Sequence, residues 1–551
     1  MMDKTGKSQI SGKLAALDRL GQKRRHLYAL NLLFLVLCLV IFTLSFNRLI
    51  NYEDGITRST FTIPGPLPIP VLEMRPARGE TPLVAVIAHG FAGSKDLMTG
   101  FGVELARAGI TAYMFDFPGH GESPIPLGDS TYSDRVAQQN VAAVGEVVDY
   151  ARTTNNATKN PQIILLGHSM GSAAVGDYSM AHANDDDIIS TILVSPVGLE
   201  QPTQAQPRNL LILAGQNDVP FAITNSQRLL RQGCGLSDSQ PLPLACGNPA
   251  NGSGRRMVIL PIVNHITILN ASSTFREMLN WLKQRSPQQV NIDQMQSDMR
   301  LFWMLLGAAG VLLSIFPLCA LLADIFDIHA TARAFRGREM LLFFLFLLLA
   351  IAAAIGIQLV WRPFSFIHIL LADYVSGYFF FTAVVMALLI FALRRTIPIP
   401  LLRQAAQQIL VGVILAAFLY FTLGQLATFS WQRFTFTLPR LWRFAVIFLL
   451  VLPIFLLDEG ISRGYQERGL WRGILASFFF KVLLTAGLLA ALLLTPGLGF
   501  LSIVLPVLAL LFLALVAFCT QLYANGRAAI AGAILSALVI AWMMSTTFPT
   551  T

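Results

Sequence analysis

The pentapeptide Gly167-His168-Ser169-Met170-Gly171 follows directly on the apolar run 163–166. A serine at a sharp strand-to-helix turn is thrust out as a nucleophile, and only small residues two positions to either side let the backbone fold so tightly. Leu83–Ala88 is a second apolar segment. It runs into His89-Gly90-Phe91-Ala92-Gly93-Ser94, a turn-rich loop suited to presenting backbone N–H groups to a developing negative charge. Residues 209–215 form a third, and Gln216-Asn217-Asp218 after it puts a carboxylate at the end of a strand. Residues 256–261 lead through Ile262-Val263-Asn264 to His265, which leaves a serine, an acid and an imidazole in the order Ser169, Asp218, His265. Nucleophile, orienting acid and base are the three roles of acyl-transfer chemistry. The plainer alternatives are a turn serine, a turn carboxylate and a surface histidine.

That order is the α/β-hydrolase order. Residues 58–285 resemble α/β-hydrolases of the lysophospholipase, monoglyceride lipase and dienelactone hydrolase type, through His89-Gly90-Phe91, the loop 116–123 (DFPGHGES), Gly167 to Gly171, Asp218 and His265. The resemblance implies that Ser169 attacks an acyl carbonyl, His265 shuttles the proton and Asp218 orients the imidazole. It further implies that the N–H groups of Phe91 and Met170 hold the oxyanion, on a mostly parallel sheet flanked by helices. His89, His120 and His168 are expected to brace or cap the site rather than to react, and the loop 116–123 to be a fold signature.

These elements sit in a chain of 551 residues that is 54% hydrophobic and only 13% charged, too apolar for an ordinary soluble protein. The apolar residues are unevenly spread. A stretch at 28–46 follows Lys4, Lys7, Lys13, Arg19, Lys23, Arg24 and Arg25, which marks an uncleaved signal anchor with a cytoplasmic amino end; a cleaved signal peptide is the competing reading. Eight further spans are expected near 301–323, 340–361, 372–393, 407–427, 441–457, 473–494, 498–522 and 528–547. The organisation is then a basic terminus (1–27), an anchor (28–46), an extracytoplasmic α/β-hydrolase domain (50–288) and an all-α membrane bundle (300–548).

Basic residues mostly fall in alternating loops, as the positive-inside bias requires, with a few exceptions on the outer side. Inner loops carry Arg333, Arg336 and Arg338, then Arg394, Arg395 and Arg403, then Arg463, Arg468 and Arg472, then Arg527; outer loops carry mainly Arg362, Arg433 and Arg440. The net charge of +9 is therefore a topology and lipid-anchoring signal, not a nucleic-acid footprint.

Of five cysteines, Cys38, Cys319 and Cys519 fall in expected spans. Cys234 and Cys246 bracket a loop with little apolar content and are a candidate disulfide outside the cytoplasm; two free thiols are the alternative. The loop lies between the Asp218 and His265 strands and is expected near the mouth of the site as a partial lid or docking surface. The link between the strand 191–195 and the next strand is too short for a helical cap, so the site is expected to be open there.

In the membrane half, Asp458-Glu459-Gly460-Ile461-Ser462-Arg463 resembles the E-E-x-x-x-R motif of CAAX-protease-like intramembrane peptidases. That family also uses histidines on later spans, and this chain has none beyond His368, so the region resembles at most a degenerate relative. The simpler reading starts a solvated loop at Asp458 and Glu459. Lys481, inside an apolar segment, calls for a partner such as Asp458 or Glu459, or snorkels to the interface.

The expectation is a membrane-anchored serine hydrolase of the inner (plasma) membrane acting on a carboxylic ester, with lipid or another amphiphile as substrate class. A transporter or lipid-handling protein with an accessory hydrolase, and an inert interaction scaffold, are the alternatives. No cofactor or metal is implied by any ligand cluster, phosphate loop or dinucleotide fingerprint. The bilayer and a small ester are the expected partners, and the oligomeric state is not legible.

Overall fold

A computed structural model describes the chain except residues 1–3, 129–132, 155–160, 200, 294, 296–297, 330–332, 394, 397–401, 403, 430–431, 497 and 500–503, and the side chains of residues 4–25. The basic side chains of the N-terminal segment (Lys4 to Arg25), Arg394 and Arg403 thus lie outside the described residues.

The chain enters as one long helix, α1 (Lys4–Ile50), and then builds a nine-stranded sheet. Its strands are β1 (Ile56–Ile63), β2 (Ile69–Pro76), β3 (Leu83–Ala88), β4 (Thr111–Phe115), β5 (Gln162–His168), β6 (Ile188–Val194), β7 (Leu210–Gly215), β8 (Ala245–Cys246) and β9 (Arg255–Leu260). They lie in the order β1-β2-β4-β3-β5-β6-β7-β9-β8. From β4 to β9 every neighbour is parallel; β1, β2 and the two-residue β8 pair antiparallel.

Both faces of the sheet are covered, which is why its central strands read as continuous apolar runs. Alternate residues of β3 divide between the faces. Leu83, Ala85 and Ile87 pack with α2 (Thr99–Arg107) and α6 (Ser272–Arg285), while Val84, Val86 and Ala88 pack with α3 (Asp134–Thr154), α4 (Met170–Ala181) and α5 (Pro220–Gly233). This strand order, with β2 reversed and a sharp turn from β5 into α4, is the α/β-hydrolase fold.

Eight more helices follow: α7 (Arg300–Ile325), α8 (Gly337–Val360), α9 (Ala372–Ala392), α10 (Ala405–Thr428), α11 (Leu438–Gln466), α12 (Leu470–Leu494), α13 (Leu505–Gly526) and α14 (Ala529–Thr547). Among the described residues, nine helices, these and the stretch His26–Glu53, are long and apolar enough to cross a membrane. α1 lies along α7, and α14 is almost wholly enclosed against α10 and α11.

Three expectations need correction. The helix over 441–457 extends to Gln466, so Asp458 and Glu459 lie inside α11 and are buried rather than opening a solvated loop. The helix expected from 498 begins at Leu505. Cys234 and Cys246 do form a disulfide, with the sulfurs bonded and Cα atoms 6.0 Å apart, but their loop is no lid. β8 pairs Cys246 with Arg255 at the start of β9, whereas His265 follows the far end of that strand. The parallel register puts the disulfide hairpin at the opposite end of the sheet from Ser169, because α5 carries the chain back across the domain before Cys234.

Candidate active site

β5 ends at His168, and α4 starts at Met170, so Ser169 alone makes the turn. Its φ of 51° and ψ of −120° are strained for a residue with a side chain. The strain is held by close packing. A Cβ on Gly167 would stand 2.2 Å from the Gly171 carbonyl oxygen, and one on Gly171 would stand 2.5 Å from that of Ala88, so only glycine fits at either position. The Ser169 N–H donates to the Val194 carbonyl (3.0 Å), and Ser172 Oγ donates to the Ser169 carbonyl (2.5 Å), which anchors the turn from both sides.

The structure brings the three candidate residues together. His265 Nδ1 lies 2.7 Å from Asp218 Oδ1, and His265 Nε2 lies 3.0 Å from Ser169 Oγ. An ionised carboxylate only accepts, so Nδ1 carries the proton and Nε2 is left to accept from the serine hydroxyl. Burial alone would raise the Asp218 carboxyl, but hydrogen bonds from His265 and Ser195 outweigh it and hold the group below the usual carboxylate range. Ser195 Oγ donates to Asp218 Oδ2 at 2.5 Å, and the Val219 N–H donates to Oδ1 at 2.8 Å. The sequence reading missed Ser195 as a site residue. Its only signal is its place at the end of β6, the strand beside the one that delivers Asp218.

His168 and His89 tie down the segments around Ser169. His168 Nε2–H donates to the His265 carbonyl at 2.9 Å and fixes the loop that carries the base. His89 Nδ1–H donates to the Gly90 carbonyl (2.7 Å), while its Nε2 accepts from the Phe117 N–H (3.2 Å). The loop containing Phe91 lies beside the nucleophile, since a Cβ on Gly90 would stand 3.1 Å from Ser169 Cβ. Met170 is the first residue of α4, whose N-terminal N–H groups and dipole favour negative charge. Phe91 also packs against the helical bundle's apolar core, so this loop sits at the junction of the two parts of the molecule.

That junction is charged. Lys95 donates from Nζ to Asp116 Oδ2 (2.6 Å) and Glu122 Oε2 (2.7 Å), and from its backbone N–H to Asp116 Oδ1 (2.7 Å). Arg433, between α10 and α11, donates to Glu122 Oε1 at 2.7 Å and lies 3.6 Å from Asp96. Arg440 at the start of α11 donates to the carbonyls of Gly119 (3.3 Å), Ser545 (2.6 Å) and Phe548 (2.9 Å). The loop 116–123 is thus gripped from the bundle by Arg433 and Arg440, two of the arginines expected in outer loops. Lys95 and Asp116 are both buried, and removing one partner leaves a buried charge unpaired. Lys95→Met is expected to lower stability by about 3–5 kcal/mol, read as a lower denaturant midpoint of the hydrolase unfolding transition.

Burial holds the histidines around the elbow neutral. It pushes His168 and His120 each down to about 3, and pulls His89 below its ordinary value of 6.5. The unfolded chain protonates these groups below 6.5 and the folded one does not, so stability is fully present above 6.5 and declines as pH falls toward 3. His168 and His120 each contribute a slope of about 1.4 kcal/mol per pH unit in that window, and His89 acts in the same direction. Unfolding midpoints measured across it are expected to fall steeply on acidification, with a shallower slope for His120→Gln.

Residues 79–228 match the family model described as serine aminopeptidase, S33. The match spans the oxyanion-side loop, the elbow and Asp218, and stops short of His265. Three solved structures are similar: a CIB-like hydrolase from Thermoplasma acidophilum (17% identity, 42% of this chain and 99% of the other, TM-score 0.31), a cold-adapted esterase from an Arctic intertidal metagenomic library (17%, 42% and 95%, 0.31) and an esterase from Pyrobaculum calidifontis (13%, 45% and 91%, 0.31). No curated protein matches the chain significantly. The sheet order and the elbow, rather than these likenesses, identify the fold.

The second candidate cluster lies inside the bundle. Asp458 on α11 contacts Lys481 Nζ on α12 and accepts from Ser462 Oγ (2.8 Å), while Lys481 also donates to Ser477 Oγ (2.9 Å). Glu459 Oε2 lies 3.0 Å from Arg463 Nε, and Arg463 reaches Thr520 Oγ1 on α13 at 3.0 Å. Two acids and two bases, all buried, make a neutral quartet on α11 and α12, which Arg463 ties to α13 through Thr520. Lys481 pairs with Asp458 rather than snorkelling. No group of three or more His, Cys, Asp or Glu side chains poised to hold a metal occurs among the described residues.

Proposed function

We propose that this chain is a membrane-anchored serine hydrolase that cleaves carboxylic esters through an acyl-enzyme intermediate. The observation that carries the reading is the unbroken hydrogen-bond relay from Asp218 through His265 to Ser169 on a strained elbow. Ser169 Oγ attacks the acyl carbon while His265 Nε2 takes its proton, and Asp218 stabilises the imidazolium. The N–H groups of Met170 and Phe91 receive the negative charge on the carbonyl oxygen. Collapse of the tetrahedral species expels the alcohol, which leaves with the proton from His265; water then repeats the sequence to release the acid and restore Ser169.

The contacts support a hydrolase on one side of nine spans, and the arginines between α7 and α8, α9 and α10, and α11 and α12 support that side being the extracytoplasmic one. Successive spans alternate direction, so a hydrolase-side exit of α1 puts the loops after α8, α10, α12 and α14 on the hydrolase side. The contacts agree, since Arg433 after α10 and Thr550 after α14 both reach the 116–127 segment. The loop holding Phe91 meets the bundle at that end, so an amphiphile in the adjoining leaflet is the substrate class this placement favours. The ester preference rests on the resemblance of the triad motifs.

A membrane-impermeant fluorophosphonate probe applied to intact cells tests the topology and the nucleophile together. Labelling of wild type but not of an equally expressed Ser169→Ala chain is expected. Labelling only after the membrane is opened would overturn the topology, and none in either state would overturn the hydrolase. Hydrolysis of p-nitrophenyl esters but not of matched p-nitroanilides is expected of the purified protein, and the reverse preference would overturn the ester reading.

A further inference from the structure

We infer that the junction between the hydrolase and the bundle holds a binding site for a phosphate-class anion, with a phospholipid headgroup as its source. The inference rests on the membrane reading of the bundle, not on the chemistry of Ser169. A cavity of about 400 Å³ opens where the loop 122–126, the start of α11, His368 and the segment 550–551 meet. Arg440 and Arg443 line it from one helical turn of α11, three residues apart.

Both guanidinium groups are held by backbone carbonyls. Arg440 binds those of Gly119, Ser545 and Phe548, and Arg443 binds those of Ile367 (2.8 Å) and Pro439 (2.8 Å). Among the described contacts neither pairs with a carboxylate. Glu122 is the acidic side chain on the cavity wall, and both of its oxygens are taken, one by Lys95 and one by Arg433; Asp116, whose charge also acts on Arg440, is held by Lys95, and the carboxylate of Thr551 on the wall makes no ion pair with either arginine among the described contacts. Carbonyl oxygens orient a guanidinium without neutralising it, and two like charges on one turn of helix repel each other unless an anion lies between them. Arg440 is only 4% exposed, so water does not screen the charge.

Arginine's planar fork suits a phosphate, whose oxygens accept several N–H bonds at once. Thr437 lines the same wall and its hydroxyl is a further donor. Two aromatic side chains beside the cavity favour a lipid headgroup over a free ion. Trp442, stacked with Arg443 at 4.9 Å, and Trp361, on the loop that leads to His368, both expose their rings at this end of the bundle. Exposed tryptophans of this kind mark the membrane–water interface. A headgroup bound there would bridge the bundle to the loop beside the candidate site.

Native mass spectrometry of the full chain, released from detergent with added phosphatidylglycerol or with diacylglycerol, tests the site. Wild type is expected to retain phosphatidylglycerol, and Arg443→Gln to bind it about tenfold less tightly, the size of one lost charged hydrogen bond. Arg443→Gln is the main variant because the residue is half-buried, whereas Arg440→Gln risks the fold. Thr437→Val combined with Arg443→Gln extends the series and is expected to weaken binding further. Equal retention by wild type and both variants, or equal retention of diacylglycerol, would overturn the proposal. Displacement of the lipid by inorganic phosphate would support the anion chemistry with the free ion as its source; resistance to phosphate would support the headgroup. Activity on short water-soluble esters is read in parallel. Loss of that activity in wild type would sink the hydrolase reading while leaving this site standing.

Discussion

Ser169→Ala is expected to lower kcat/KM on a p-nitrophenyl ester by on the order of 10⁴-fold or more while leaving the protein folded. The substitution removes only Oγ. Alanine meets the same backbone strain at φ 51° as serine does, and the glycine contacts that hold the turn involve Gly167 and Gly171 rather than residue 169. Stability is therefore expected to change by less than about 1 kcal/mol, read from the denaturant midpoint. The residual rate comes from whatever the Phe91 and Met170 N–H groups and substrate positioning supply without a nucleophile. A variant within about tenfold of wild type would remove Ser169 from the mechanism.

Asp218→Asn is the second large expected effect, about 10⁴-fold in kcat, with KM changed little. The asparagine amide can offer a donor to His265 Nδ1 where the carboxylate accepted. The imidazole then carries its proton on Nε2, the atom that must accept from Ser169. Ser195→Ala separates orientation from charge. Its hydroxyl donates to Asp218 Oδ2 and helps hold that carboxyl low, so its loss leaves the charge in place but frees the carboxylate to rotate. A fall of about tenfold is expected, with the Asp218 carboxyl shifted upward. Equal losses in Ser195→Ala and Asp218→Asn would mean that Asp218 acts through the fold rather than through His265. Steady-state kinetics across pH distinguishes the two.

The meeting of Ser169, Asp218 and His265 was legible because each follows an apolar strand, and the end of a strand in a parallel sheet is where ligand-facing side chains converge. The long apolar helices were legible for a similar reason, since about 20 consecutive apolar residues form a recognisable segment without reference to any partner. The disulfide pairing of Cys234 with Cys246 also followed from composition, as a polar loop between two cysteines has little else to order it. Its placement did not. Whether a hairpin lies at the mouth of a site or at the other end of the sheet depends on which way α5 crosses the domain and on the register of β8 with β9.

Charged residues within or beside apolar runs were the other point at which the sequence stopped. Asp458 and Glu459 were compatible with a loop because a carboxylate in hydrocarbon is costly; the continuation of α11 to Gln466 sets Arg463 one turn from Glu459, and the packing of α11 against α12 and α13 supplies the Lys481 and Thr520 partners. Arg433 and Arg440 registered only as exceptions to a charge bias, until the fold set Glu122, Asp96 and the Gly119 carbonyl against them. The sequence by itself determined the order of Ser169, Asp218 and His265, the strands that deliver them and the apolar helices, because these are local properties of a run of residues. Tertiary structure alone decided Ser195's hold on Asp218, the clasp on the loop 116–123 and the neutral quartet, because hydrophobic pattern says which groups are buried but not which partner each one meets.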